Sequence, residues 1–546
     1  MEDALRLEAG KNPHLNRYLR QLSRATTLMP RFFEKMSIKE LNDIRNAAVK
    51  DPASANVIYR VGNGYVHIDA PHNRYISVEM SLTEDEEKKM RRVKELILEK
   101  ASEEKSIETE QELIEMLYKL FDRSVVRASS DNLLTKLRAM GKVPLTEHQY
   151  RAIRYFIRRD IAGYGPIEPL ILDPYIEDIH SVGTDLVHVA HKAFQYALET
   201  NVKFPDDELL NDYLIALSER IGRPVSAARP IVDGTLPDGS RINVIYSEDI
   251  SKKGSSFTIR KFSAEPISAI QLYKFGTVSP ELVAYLWLCL EHKMNMMVAG
   301  ETASGKTTTL NAIIPFIDHR AKIYSAEDTP EVKPPHASWQ RCVTRESGPE
   351  ESRVTMFDLL RAALRSRPDY IVIGEIRGEE GRVAYQAMQT GIPVMATFHA
   401  ASATKFIQRF TGDPIRVPMT FIDNLNVLLL QSAVNVNGRF LRRVTAVEEF
   451  IGYSAETGGV LTRNVFKWDA RTDKMIFRGM NNSYILEEKV ALLHGFSNKK
   501  DIYGELGRRA KIVARAAEEG ILGYNQVNEM LRSYTDKKEE GLPFAV

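Results

Sequence analysis

Apolar and polar positions change rhythm several times along the chain, and each change marks a different kind of element. Residues 1–50 scatter apolar positions among arginines and other polar residues, which fits short helices. From 55 to 80 the alternation is that of strands: Val57, Tyr59 and Val61, then Tyr65 and His67, with Gly62-Asn-Gly64 as the turn. Thr83 and Glu86 form a capping-box pair ahead of a charged helix with Met90, Val93 and Ile97 on one face. A second helix gathers Leu113, Ile114, Leu117, Leu120 and Phe121. A third starts from Thr146 and Gln149 and runs to about Asp160, where Gly163-Tyr-Gly-Pro-Ile167 breaks the pattern.

Beyond that break, strands are expected at 176–180, 186–190, 231–236, 241–246 and 256–262, and a helix at about 206–220. This is an α+β pattern in which Pro237-Asp-Gly-Ser240 is a hairpin turn. Residues 263–278 read as a linker and natural hinge, with Pro266 and Gly276 flanking its apolar middle. Ser279-Pro280 caps the next helix, with proline at its first position. From 294 the rhythm becomes βαβ. Apolar runs at Met294–Ala299, Ile323–Ala326, Tyr370–Ile373 and Val394–Phe398 alternate with helical stretches, which predicts a parallel sheet covered by helices. Residues 434–480 read as β-hairpins with Asn437-Gly438 as one turn, and the tail from about 484 is helical and charged.

Composition narrows the classes. A chain of 546 residues exceeds one hydrophobic core. The formal net charge of +1 removes a global basic field, so no nucleic-acid partner is expected. Cys289 and Cys342 belong to no CxxC pair, which excludes a disulfide scaffold and a four-cysteine zinc site and fits a reducing compartment. The charged start lacks the apolar core of a signal peptide. The most apolar run, Leu282–Leu290, falls far short of the roughly 20 residues that span a bilayer, so membrane contact should be peripheral or through a partner.

The chemistry centres on Gly300-Glu301-Thr302-Ala303-Ser304-Gly305-Lys306-Thr307, a full G-x4-G-K-[ST] phosphate loop between an apolar strand and the helix Thr308–Phe316. Its glycines let backbone N–H groups curl around phosphates, and the helix N-terminus adds partial positive charge. Lys306 is placed for the β- and γ-phosphates, and the Thr307 hydroxyl is a ligand for Mg2+. The expected cofactors are therefore ATP and Mg2+, with Gly300–Thr308 as the binding segment, Thr308 included. Glu375 closes the strand Tyr370-Ile-Val-Ile-Gly-Glu375 as a Walker-B acid, with Gly374 where Asp is usual. It is placed to contact the metal through water or to polarise the attacking water. Glu327 and Asp328 end another apolar strand, and His399 a third. In open α/β sheets ligands sit at such carboxyl ends. A neutral His399 imidazole can donate to a γ-phosphate. Arg377, Arg241, Arg260, Arg365 and Arg367 are candidates for the charge that completes the site, and sequence alone does not choose among them.

Together these four ordered motifs, over about residues 160–450, resemble the secretion ATPase superfamily of type II and type IV systems. Pro237-Asp-Gly-Ser-Arg241 and Phe257-Thr-Ile-Arg260 resemble its N-terminal domain, whose arginines point at nucleotide. The resemblance implies that Glu327 is the catalytic base. Within the superfamily, Tyr385–His399, Gln408–Pro418 and Asp423–Val427 are most similar to the archaellum-motor branch. That implies a cytoplasmic homo-hexamer, peripheral at the inner face of the cell membrane, docked on a polytopic membrane platform protein and working with other cytoplasmic archaellum components. It would power filament assembly and rotation. In such a ring one subunit's arginines would approach another's γ-phosphate. An archaeal type IV pilus or secretion ATPase, a nucleic-acid motor and a nucleotide-sensing scaffold are the alternatives. The expected fold is α/β: a RecA-like P-loop motor domain with a parallel sheet and C-terminal helical region (279–546), preceded by a linker (263–278), an α+β N-terminal domain (161–262) and a helical/β N-terminal extension for partner docking (1–160).

Overall fold

The computed structural model describes residues 2–25, 28–101, 109–128, 141–194, 196–261, 265–345, 350–436, 439–456 and 458–545. The Asn437-Gly438 turn and the start of the 263–278 segment lie outside them. The chain divides into two compact units, Met1–Phe262 and Ser263–Val546.

The first unit is organised by a ten-stranded sheet. Its strands run, in spatial order, Arg31–Phe33, Val57–Val61, Gly64–Asp69, Arg74–Val78, Ala197–Thr200, His188–His191, Ile176–Val182, Ser256–Arg260, Arg241–Ile245 and Ile231–Thr235. The hairpins at 62–63 and 237–240 form with the turn residues expected. The boundary drawn at 160 falls inside this sheet, because Arg74–Val78 pairs in parallel with Ala197–Thr200. Helix Asp207–Arg220 buries Leu210, Leu214 and Leu217 against the sheet core. Helices Glu84–Ala101, Glu110–Ser124 and Glu147–Ile161 pack around Val93, Leu117, Leu120, Phe121 and Ile153 as a separate apolar cluster. Thr146 caps the last of them, and Gln149 returns the bond to the Thr146 backbone.

The second unit is α/β and RecA-like. Six strands are parallel in the order Trp339–Val343, Ile323–Glu327, Tyr370–Ile376, Val394–Phe398, Met296–Gly300 and Val427–Val436. Three antiparallel strands, Arg439–Ser454, Gly459–Asp469 and Lys474–Phe477, extend it. The four central parallel strands are those legible as apolar runs. The edge strand Trp339–Val343 escapes that reading because the exposed Gln340 and Arg341 interrupt its apolar residues. Each sheet face carries its own core, one around Leu286, Met296 and Val372, the other around Ile371, Ala396 and Phe406.

Two helices close the first of these faces: Pro280–Glu291, almost wholly buried, and Ile502–Glu518. Arg509 pins them together. It is 1% exposed, donates to Glu505 at 2.8 Å, pairs with Glu291 and lies over the Trp287 ring. The described part of the expected linker is ordered structure. Ser268 and Gln271 make a capping box, and helix Ala269–Lys274 sends Ala269, Ile270 and Leu272 into the core.

Candidate functional site

The phosphate loop is shaped by steric necessity. Gly305 has φ +94° and caps helix Lys306–Ile313 in the left-handed conformation, which a residue with a Cβ disfavours. A Cβ on Gly300 would lie 2.2 Å from the Gln431 carbonyl oxygen and 2.6 Å from Ser304 Oγ. Gly300 is therefore required by close backbone approach, and Gly305 by its left-handed φ. Lys306 Nζ donates to the Glu301 carbonyl at 2.9 Å, and partial burial lowers its pKa, with Glu375 opposing that shift. A cation held over loop carbonyls beside a carboxylate suits the phosphates of a nucleotide. Ser304 Oγ and Thr309 Oγ1 are buried without a partner among the described residues.

The acids at the carboxyl edge take different positions, because successive strand residues point to opposite faces. Glu327 is fully buried. Its Oε1 accepts from the Glu331 and Val332 amides at 2.8 and 2.7 Å, while Oε2 has no partner among the described residues. Burial pushes its pKa up to about 7, against the lowering effect of those two amides. Asp328, expected beside it, is exposed and turns away toward Thr344 at 3.3 Å and Arg377 at 3.6 Å.

Gly374, the departure from the usual Walker-B pattern, has a physical reason. A Cβ there would sit 3.2 Å from Glu327 Cγ, so the glycine leaves room for the buried acid. The strand ladder shifts register between Ile373 and Ile376, and such an irregularity re-aims the residue within it, Glu375. Arg377 clamps Glu375 through Nε at 2.8 Å. The Arg377 and Gly378 amides in turn donate to Glu380 Oε1 at 2.6 and 2.7 Å.

His399 reaches the loop: its Nε2 lies 3.0 Å from Thr302 Oγ1, and Arg409 donates to its carbonyl oxygen. The structure thus brings together Gly300–Thr308, Glu327, Glu375, Arg377 and His399 at one sheet edge. Arg365 and Arg367 sit instead where helix Met356–Ser366 ends, just before strand Tyr370–Ile376 begins, at the opposite edge. Arg241 and Arg260 lie in the first unit, directly opposite each other on neighbouring antiparallel strands. Among the described residues no cluster of three or more metal-ligating His, Cys, Asp or Glu occurs. Thr307 lies in the first turn of helix Lys306–Ile313 and Glu375 in strand Tyr370–Ile376, so both are oxygen donors at the carboxyl edge of the sheet. Sequence reading missed Arg409, Gln431, Arg442 and the role of Gly374. For Gly374 the signal was present, as an unexplained glycine before a strand-end acid.

Residues 160–436 match the family described as Type II/IV secretion system protein. The chain belongs to this family. An uncharacterised protein of Methanocaldococcus jannaschii is 49% identical over 557 residues, spanning 100% of this chain and 99% of its own length. A probable conjugal transfer protein, TrbB of Sinorhizobium fredii, is 31% identical over 235 residues, 41% of this chain and 70% of that protein. Among solved structures, the Legionella pneumophila ATPase DotB aligns at 16% identity over 66% of this chain and 94% of its own, with a TM-score of 0.39. The matched span of the secretion-system family covers the phosphate loop, both strand-end glutamates, His399 and the Arg241 and Arg260 pair. It ends at the tip of the sixth parallel strand, so the antiparallel extension and C-terminal helices lie beyond it.

Proposed function

We propose that this secretion-family protein binds ATP with Mg2+ and hydrolyses it as the motor of a filament-assembly machine. The observation that carries the reading is the convergence of a complete phosphate loop and two glutamates of different character on one edge of a parallel sheet. The Gly300–Thr308 amides hold the phosphates, and Lys306 neutralises their β- and γ-oxygens. Thr307 and Glu375 would hold Mg2+, which when bound withdraws charge from the phosphate oxygens. Glu327 is the catalytic base: with a pKa near 7 and an unpartnered oxygen it can orient a water and accept its proton. Glu375 polarises that water from the neighbouring strand. His399 senses the γ-phosphate beside Thr302. Arg377 supplies positive charge for the transition state, and in a ring Arg241 and Arg260 of a neighbouring subunit would add theirs.

At the finer level we propose an archaellum motor: a cytoplasmic hexamer, peripheral to the cell membrane, pushing on a polytopic platform protein. Its support is the sequence of 385–427. No helix of the described residues is long and apolar enough to cross a membrane, so force would pass through such a partner.

Two measurements test these levels separately. Lys306→Ala in the purified chain should abolish ATP turnover while keeping the melting temperature. Wild-type rates in a well-folded variant remove the ATPase reading. Deleting the gene should abolish archaella and swimming. Normal swimming with lost adhesion filaments or lost secretion would move the protein to the pilus and secretion branch.

A further inference from the structure

The floor of the phosphate loop is a hairpin that carries no motif. Strand Val427–Val436 runs parallel to Met296–Gly300, with Gly300 opposite Gln431. A Cβ on Gly305 would lie 2.9 Å from Gln431 Nε2, so this buried side chain lies directly beneath the loop. The ladder to the next strand, Arg439–Ser454, slips between Leu430 and Gln431. A slip of this kind bends the strand and redirects the residues beyond it.

Arg442, two pairs further along, sends Nε to the carbonyl oxygen of Ala303 at 3.1 Å. Ala303 has φ +61°, a conformation that an L-residue with a Cβ adopts only when its surroundings hold it there. The neighbouring Arg443 points to the opposite face of the sheet. It is buried and grips Asp473 through two bonds of 2.8 and 2.9 Å. Its third contact donates to the Phe275 carbonyl at 2.9 Å. Phe275 is the C-cap of helix Ala269–Lys274.

We propose that Arg442 is a positioning residue for the phosphate loop. Its guanidinium holds Ala303 in the left-handed conformation. The backbone it shares with Arg443 then carries the state of the loop to residues 269–277 on the other face. The first half concerns the loop alone; the second deepens the nucleotide reading above and rests on it.

Amide hydrogen exchange on the full chain without nucleotide tests the first half. Arg442→Ala should speed exchange at 302–306 about 10-fold or more, the loss expected for one charge-assisted bond, and leave strand 296–299 unchanged. Arg442→Lys should recover part of the protection. Unchanged exchange at 302–306 overturns the proposal, as does an equal rise in the core strand in both variants. With ATP, Arg442→Ala should raise Kd about 10-fold and leave kcat at saturation nearly unchanged. Saturating ATP should alter exchange at 269–277 in the wild type but not in Arg442→Ala. No response in the wild type, or the same response in both, overturns the transmission. If the wild type binds no ATP, the motor reading and the transmission fall together, and the nucleotide-free exchange still decides the positioning role.

Discussion

Glu327 and Glu449 are both fully buried in the second unit, and burial pushes both carboxyls upward in pKa. Their surroundings separate them. Glu449 has a partner for every oxygen: Tyr285 OH at 2.9 Å and Ser483 Oγ at 2.5 Å on Oε1, the Tyr484 and Ile485 amides at 2.7 and 3.3 Å on Oε2. It ties the antiparallel extension to helix Pro280–Glu291 and to the helical turn that opens at Ile485. Glu327 has one oxygen held by two amides and one with no partner among the described residues, at the edge where the phosphate loop lies. A buried acid that is fully bonded is a structural joint. One that keeps an open oxygen retains capacity for chemistry, because leaving a buried acceptor unpaired costs free energy that folding alone gives no reason to spend.

The largest expected effect is on turnover. Glu327→Gln should lower kcat by roughly 10^2–10^4, the usual range for removing a general base, while ATP binding persists. Steady-state hydrolysis beside a fluorescent-nucleotide titration reads both, and an unimpaired kcat would make the two glutamates equivalent. Glu449→Ala should do the reverse. It leaves two hydroxyls and two amides unpaired, so urea unfolding should show a loss of about 3 kcal/mol or more. At a temperature where the variant is folded, kcat should stay near wild type.

The pH dependence sharpens the contrast. The Glu327 pKa is raised from 4.5 to about 7, so the folded state favours the protonated acid. Its contribution is fully present below about pH 4.5 and is lost as pH rises to 7. That difference amounts to about 3 kcal/mol, from 1.36 kcal/mol per pKa unit. Nucleotide-free Glu327→Gln, which stays neutral, should therefore gain stability over wild type as pH goes from 5 to 8. A constant difference would place the titration elsewhere. The smallest effect concerns Gly374→Ala. A methyl 3.2 Å from Glu327 Cγ must shift that side chain by a few tenths of an ångström. Turnover should fall about 10-fold, an effect of about 1.4 kcal/mol on the barrier, with stability nearly unchanged. Full activity would show that the position of Glu327 is not critical.

Much of this arrangement was legible before any coordinates. The strand–loop–helix context of Gly300–Thr308 identified the loop, and the apolar runs located four central strands together with the acids at their ends. Other features were hidden for physical reasons. Trp339–Val343 is an edge strand whose middle residues, Gln340 and Arg341, are polar and exposed, so it lacks the continuous apolar signature of its neighbours. Residues 263–278 read as a linker because a six-residue helix is too short to show a periodic face, although its Ser268 and Gln271 carry a capping box. Five arginines were candidates in the sequence, and only the resemblance singled out Arg241 and Arg260. The fold separates Arg377, on Glu375, from Arg365 and Arg367 at the far edge.

By itself the sequence determined the family, the phosphate loop and the order of the sheet's acids. Each is written in contiguous residues whose chemistry and backbone needs are local, such as a glycine at a tight approach or a carboxylate ending a strand. Only the tertiary structure decided which acid is buried with a free oxygen, why Gly374 must be glycine, and that Gln431 and Arg442 support the loop. Those facts depend on residues more than a hundred positions apart in the loop's case, and about fifty apart for Glu327 and Gly374. They meet because strands from distant stretches of chain lie side by side, which no local pattern encodes.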